Sequence, residues 1–244
     1  MIADYFVVAE ALHEIQNPTS AEKVLLLGKR LGLGPDSQVL DIASGRGGPT
    51  LVLAREFGCT VHGIEIRPGF HTVAVERIAE AGLEELVTFE LGDASKATHA
   101  AKSYDAALCL GASFVYGSLA DAVEALAPTV RPGGYVVVGE PYWRRLPLPA
   151  DYEDRDAPWT TLEGTVTIFE TSGLPVVSVI ASSEDDWDRY ETLHWKAVEQ
   201  WLAANEDDPD AAEIHARHVH YKHNYLRHGR EYLGWAIFVG WKRP

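Results

Sequence analysis

The chain has 244 residues, 46% of them apolar, with seven Trp, ten Tyr, seven Phe and a formal net charge of −15 at pH 7. That is enough apolar material for one large α/β domain spanning residues 1–244, and so acidic a surface repels phosphate backbones, which speaks against nucleic acid and anionic membranes as partners. Cys59 and Cys109 make no disulfide framework and point to a reducing, cytoplasmic setting; Asp4 stands where a signal peptide would be positive, and no apolar run approaches the roughly 18 residues of a membrane span.

Residues 1–35 read as a helical cap. Thr19 or Ser20 caps a helix carrying Val24, Leu25, Leu27 and Leu31, and Gly32 or Gly34 stops it. From residue 37 the period changes. A strand over 37–43 leads to a helix over 49–57, a strand over 60–66 to a helix over 69–81, and strand 86–91 ends at Gly92-Asp93-Ala94. Strand 104–110 precedes "GASFVYG" and a helix near 119–126; a Pro-Gly-Gly turn then feeds a strand over 135–140. Strands alternating with helices at these lengths predict a parallel sheet covered on both faces, here the core over 36–140.

After Glu140 the rhythm breaks in a proline-rich loop. Thr160 and Glu163 have the spacing of a capping box for a helix over 161–171, and "PVVSVIAS" reads as a strand. Trp187, Tyr190, His194, Val198 and Trp201 form a stripe at helical spacing, assigned to core packing, with an aromatic substrate wall as the alternative. Asp208-Pro209 announces another helix, and "YLGWAIFVGW" is the closing strand. His215, His218, His220 and His223 spread over more than half the circumference of that helix. Metal ligands must converge on one point, so the histidines read as a solvated face and no metal site is expected.

The informative stretch is "VLDIASGRGGPT", residues 39–50, where a buried strand enters a turn with glycines at 45, 47 and 48. In open α/β sheets ligands bind at the carboxyl ends of the strands. A dinucleotide loop requires a third small residue where Thr50 stands, and a P-loop requires a lysine that is absent. Asp41, just before the turn, would repel a pyrophosphate but attract a cation. Glu65, closing the second strand, is placed to accept from ribose hydroxyls, and Asp93, after the third, to accept from an adenine amine. Three acids at successive strand ends describe an adenosine with a cationic tail, that is, S-adenosylmethionine (SAM).

On these residues the chain resembles the class I SAM-dependent methyltransferases. "VLDIASGRGG", "GIEI", "GDA", "YDAALCLGAS" and "RPGGYVVVGEP" match that family's motifs in order and spacing over 36–142, with Ala43 where a glycine is usual. The resemblance implies a seven-stranded, mostly parallel Rossmann-like sheet with helices on both faces, and cofactor contacts at Asp41, Ala43, Ser44, Gly45, Gly47, Glu65, Ile66, Gly92, Asp93, Ala94, Leu110 and Gly111. "HEIQNPTSAEK" and the late helical stretch resemble a bacterial subgroup of unassigned substrate, implying a first segment folded over the cofactor and a helical insert before the last strand.

Methyl transfer from a sulfonium is an in-line displacement, in which positioning accounts for roughly 7–11 kcal/mol of the barrier. The substrate side is expected around Ser113 and Tyr116 after strand four and Glu140, Tyr142 and Trp143 after strand five, with Glu140 and Tyr116 as the catalytic candidates. The nucleic-acid methyltransferase motif belongs after strand four, where this chain has "LGASFVY", so the acceptor is expected to be a small molecule and the chain a monomer or homodimer. Two rival readings are an NAD-dependent oxidoreductase on a similar sheet, and a SAM-binding module without catalysis.

Overall fold

The computed structural model describes residues 4–97 and 101–244; the first three residues of the expected helical cap lie outside them. Its frame is one seven-stranded sheet in the order β3-β2-β1-β4-β5-β7-β6. Strands β1 (Gln38–Ile42), β2 (Thr60–Glu65), β3 (Val87–Leu91), β4 (Tyr104–Leu110) and β5 (Val130–Trp143) run parallel. The last strand, β7 (Leu233–Trp241), runs antiparallel between β5 and β6 (Val176–Ala181). The chain winds outward from β1 to β3 and returns to place β4 on the other side of β1. The carboxyl ends of β1 and β4 therefore diverge at a topological switch point, where a crevice opens.

The period of two sorts the strands' apolar residues between two layers. Val39, Val61, Leu108, Val137 and Ile237 pack with α2 (Ala21–Leu31), α3 (Gly48–Phe57), α4 (Pro68–Glu80) and α7 (Glu184–Ala204). Leu40, Ile64, Cys109, Val138 and Phe238 pack with α5 (Leu119–Leu126) and α6 (Leu162–Thr171). A smaller cluster joins α1 (Tyr5–Ala9), α7 and α8 (Ala211–Asn224) through Val8, Val198 and Ile214. No helix among the described residues is long and apolar enough to cross a membrane.

Local chemistry explains where the elements differ from expectation. The N-terminal cap is helical only in α1 and α2, because Pro18 disfavours helical backbone at Asn17; residues 10–20 form an irregular strap. Ser20 caps α2 by accepting from Lys23 N, and Gly32 stops it in the left-handed conformation. Thr161, not Thr160, caps α6, accepting from Gly164 N at 3.1 Å. Asp208 instead makes a turn, accepting from Asp210 N at 2.8 Å, and α8 begins at Ala211. Strand β5 continues three residues past Glu140, because Pro141, Tyr142 and Trp143 stay in register with Trp235, Gly234 and Leu233. His218 is buried and 3.5 Å from Glu199, which removes it from the solvated face expected of the four histidines.

Phe169 carries the α6 side of the core. It is fully buried, stacks on Phe238 with ring centroids 6.2 Å apart, and lies over Gly240. Phe169→Ala should cost about 3–5 kcal/mol in urea unfolding. Val177→Ala, at an exposed position of edge strand β6, should stay within about 0.5 kcal/mol.

Candidate active site

The glycine turn is held by its neighbours in three directions. Gly45 has φ +57° and Gly47 +72°, so both occupy the left-handed region; Ala43 sits there too at +53°, where glycine would be free of strain. Glu65 braces the turn from β2, accepting from Gly45 N at 2.8 Å and from Arg67 N at 2.7 Å. The strap covers it from above. Gln16 accepts from Arg46 N at 2.6 Å, Asn17 donates to the Leu110 carbonyl at 3.1 Å, and Arg77 bonds the Glu14 and Arg46 carbonyls at 3.0 and 2.9 Å. A Cβ on Gly45, Gly48 or Gly111 would collide with Gln16, Glu14 or Asn17 respectively. These glycines are needed for the approach of the strap as well as for any ligand.

Beneath the strap lies a cavity of about 490 Å³, within the range that takes a cofactor-sized ligand. Asp41, Ala43, Ser44, Gly45, Glu65, Ile66, Leu110 and Gly111 line it, so eight of the expected cofactor residues come together. Asp41 is buried and accepts from Thr50 Oγ1 at 2.6 Å. Burial, reinforced by the charge of Glu65, pushes its carboxyl up to about 7, and no cation among the described residues acts on it. The Ser44 hydroxyl is buried without a partner. A ligand with positive charge and hydroxyls would satisfy what these groups lack.

Gly47, Gly92, Asp93 and Ala94 stand outside this lining. Gly47 caps α3, the Gly92 amide donates to the Glu65 carbonyl, and Ala94 is buried in the core. Asp93 is engaged within its own turn, accepting from Ser95 N at 3.0 Å, from Ser95 Oγ at 2.7 Å and from Lys96 Nζ at 2.8 Å. The hydrogen bond from Lys96, with that from Ser95, holds its carboxyl down at about 2. Of the three strand-end acids, Asp41 and Glu65 meet at the cavity and Asp93 does not.

A second cavity of about 250 Å³ adjoins the first, the two sharing Gly111, Phe114, Pro141 and Trp159. Ser113 and Glu140 line it. Burial pushes the Glu140 carboxyl up to about 7 against a hydrogen bond from Ser113, again with no cation acting on it. The other substrate-side candidates line neither cavity. Tyr142 packs on Phe238 and Gly234, and Trp143 lies edge-on to Tyr152 and Trp159, because both belong to the continued β5. Tyr116 packs against the α5–α6 side of the core.

Sequence reading missed Phe6, Glu10, Phe114, Trp159, Tyr190 and Trp235, all of which line the first cavity. Trp187, assigned to packing, is both buried and part of its wall. Glu10 is bonded by Gln16 and the Tyr190 hydroxyl, yet burial still pushes it up to about 7. No group of three His, Cys, Asp or Glu among the described residues is arranged to hold a metal.

A family model described as a methyltransferase domain matches residues 39–134. A SAM-dependent methyltransferase from Geobacter sulfurreducens, solved in complex with S-adenosyl-L-homocysteine, is 36% identical and superposes with a TM-score of 0.92 over 99% of both chains. A second, from Thiobacillus denitrificans in complex with the same ligand, is 32% identical with a TM-score of 0.91, again over 99% of both chains. The uncharacterized protein YjhP of Escherichia coli is 36% identical over 239 residues, 96% of each chain.

The state of Asp41 can be measured in the ligand-free protein. A carboxyl raised from about 3.9 unfolded to about 7 folded imposes a penalty that is absent below pH 4, grows as pH rises, and is complete above pH 7. Asp41→Asn should therefore gain stability relative to the wild type by about 2–3 kcal/mol between pH 5 and pH 8. Urea unfolding at the two pH values reads that difference, and equal differences would mean that Asp41 ionises normally.

Proposed function

The chain belongs to the SAM-dependent methyltransferases, and we propose that it moves the methyl group of SAM to a small-molecule acceptor seated in the second cavity. The observation that carries this reading is the pair of joined cavities. One is lined by the buried carboxyl of Asp41, on which no cation among the described residues acts, and the other by a single carboxyl beside a serine hydroxyl. A pyrophosphate in the glycine turn would face the carboxyls of Asp41 and Glu65, which disfavours a nicotinamide dinucleotide.

Bound SAM supplies a methyl group already activated by its sulfonium. In this reading Asp41 offers negative charge to the cationic portion, Glu65 offers carboxylate oxygens to the ribose, and Ile66 offers apolar surface to the base. Ser44 and the backbone at Gly45 and Gly111 complete the seat, and the strap from Glu10 to Pro18 keeps water out. During transfer the bond from sulfur to the methyl carbon breaks as a bond from the acceptor atom to that carbon forms, leaving a neutral thioether. An acceptor that arrives protonated gives its proton to Glu140, whose pKa near 7 suits a general base at neutral pH. Ser113 orients that carboxyl.

Three measurements test the proposal. Glu65→Ala should weaken S-adenosylhomocysteine binding at least tenfold by titration calorimetry, and full affinity in the variant would refute its assigned role. With methyl-labelled SAM and a metabolite extract, label should pass into the small-molecule fraction. Below pH 7 Glu140 is protonated and unable to take a proton, so the rate should rise with pH through about 7 and then level. Glu140→Gln should flatten that rise and slow transfer by about 10²–10⁴-fold.

A further inference from the structure

On the α7–α8 side of the molecule a third cavity, about 180 Å³, lies against the first and shares Phe6, Trp187, Tyr190 and Leu233 with it. That is room on the order of six waters. Its walls are strongly aromatic: Tyr5, Trp187, Tyr190, Trp195 and Tyr225 all line it. Two carboxyls belong to the lining, Asp154 and Glu191, and that of Glu191 has no counter-charge among the described residues. Glu191 is partly accessible, as a residue facing a cavity must be, yet lies deep enough that burial pushes its carboxyl up to about 7. The neighbouring Trp195 indole lowers it only in part, and no cation among the described residues acts on it.

The other titratable groups around this cavity leave that demand unmet. His194 is held neutral, its pKa lowered to about 3 by burial and by the neighbouring His13 and His218. Asp154 accepts from Asn224 Nδ2 at 2.6 Å. Lys222, the basic residue of the lining, has its ammonium 4.8 Å from the centre of the Trp195 ring. The wall thus already takes one ammonium by its aromatic face, while the acid beside it remains unpaired. Aromatic faces with a carboxylate are the surroundings in which a desolvated alkylammonium is most favoured, since the ring quadrupoles and the acid both attract it. A neutral apolar guest would leave the carboxyl stranded, and an anionic one would meet Glu191 and Asp154.

We propose that this third cavity is a binding site for an alkylammonium group, held between Glu191 and the rings of Trp195, Tyr190 and Tyr225. It is a second ligand site beside the cofactor cavity, separated from it by the shared wall of Trp187 and Tyr190. The test uses the full chain saturated with S-adenosylhomocysteine and follows tryptophan fluorescence. Choline is the probe, and 3,3-dimethylbutan-1-ol, its uncharged carbon analogue, is the control. Choline should bind saturably and at least tenfold more tightly than the alcohol. Glu191→Gln and, separately, Trp195→Leu should each weaken choline at least tenfold while leaving S-adenosylhomocysteine affinity unchanged. Equal affinity for the two probes, no saturable choline binding, or undiminished choline binding in Glu191→Gln would overturn the site. Because the homocysteine ligand is titrated in parallel, loss of cofactor binding would register separately as a failure of the reading of the first cavity.

Discussion

A carboxyl group taken out of water must either keep its proton or find a positive charge, since an isolated ionised carboxylate in a low-dielectric interior is costly. This chain places that constraint on every one of its three adjoining cavities. Asp41 on the first, Glu140 on the second and Glu191 on the third are each pushed up to about 7 by burial, with no cation among the described residues acting on them. The buried Asp186, by contrast, meets Lys23 and Arg189. The three raised carboxyls face cavities, and the roles proposed above set what each would receive. A cation suits Asp41 and Glu191, and a proton suits Glu140.

The second constraint is steric and concerns the strap. Residues 14–17 lie so close to the carboxyl ends of β1 and β4 that a Cβ on Gly48 would run into the Glu14 carbonyl, and one on Gly45 or Gly111 would displace the Gln16 or Asn17 side chain. The backbone next to two of these glycines is bonded across that contact, with Gln16 receiving the Arg46 amide and Asn17 reaching the Leu110 carbonyl. The first cavity is therefore roofed by the chain's own N-terminal segment. The same segment brings Glu10 and Phe6 to its wall, so the ligand's enclosure and its polar contacts depend on one short irregular stretch.

The sheet was legible because its signals are local. Apolar strands ending in glycine turns, and helices closed at Gly32 and Gly58, announce themselves within a few residues. The acids on either side of the glycine turn were legible for the same reason: Asp41 and Glu65 sit at strand ends, and the rule for open α/β sheets places strand ends at the ligand. Asp93 obeys that rule in sequence but is captured by Ser95 and Lys96 three residues away, a competition between neighbours that position alone does not reveal. Tyr142 and Trp143 were misplaced because the end of β5 is set by its pairing with β7, some ninety residues later in the chain. Trp187 and Tyr190 have the spacing of core residues and do pack as such; that their other side borders a cavity depends on how α7 crosses the mouth of the sheet.

This division has a functional meaning. The first cavity is built from consecutive strand ends, which the hydrogen-bonded ladder fixes with little freedom, so its chemistry is legible in short motifs. The second cavity, proposed above for the acceptor, draws on Ser113 and Phe114 after β4, Glu140 within β5 and Trp159 before α6. Those residues lie on elements whose relative placement is set only by tertiary packing, and no spacing rule connects them. A sheet of this kind hosts many acceptors. In this chain the first cavity is flanked by a raised carboxyl with a serine on one side and an acid among aromatic rings on the other. The shared walls at Trp159 and Phe114, and at Trp187 and Tyr190, set each of these chambers directly against the first cavity, so under the roles proposed above a ligand in either one would lie beside the methyl donor.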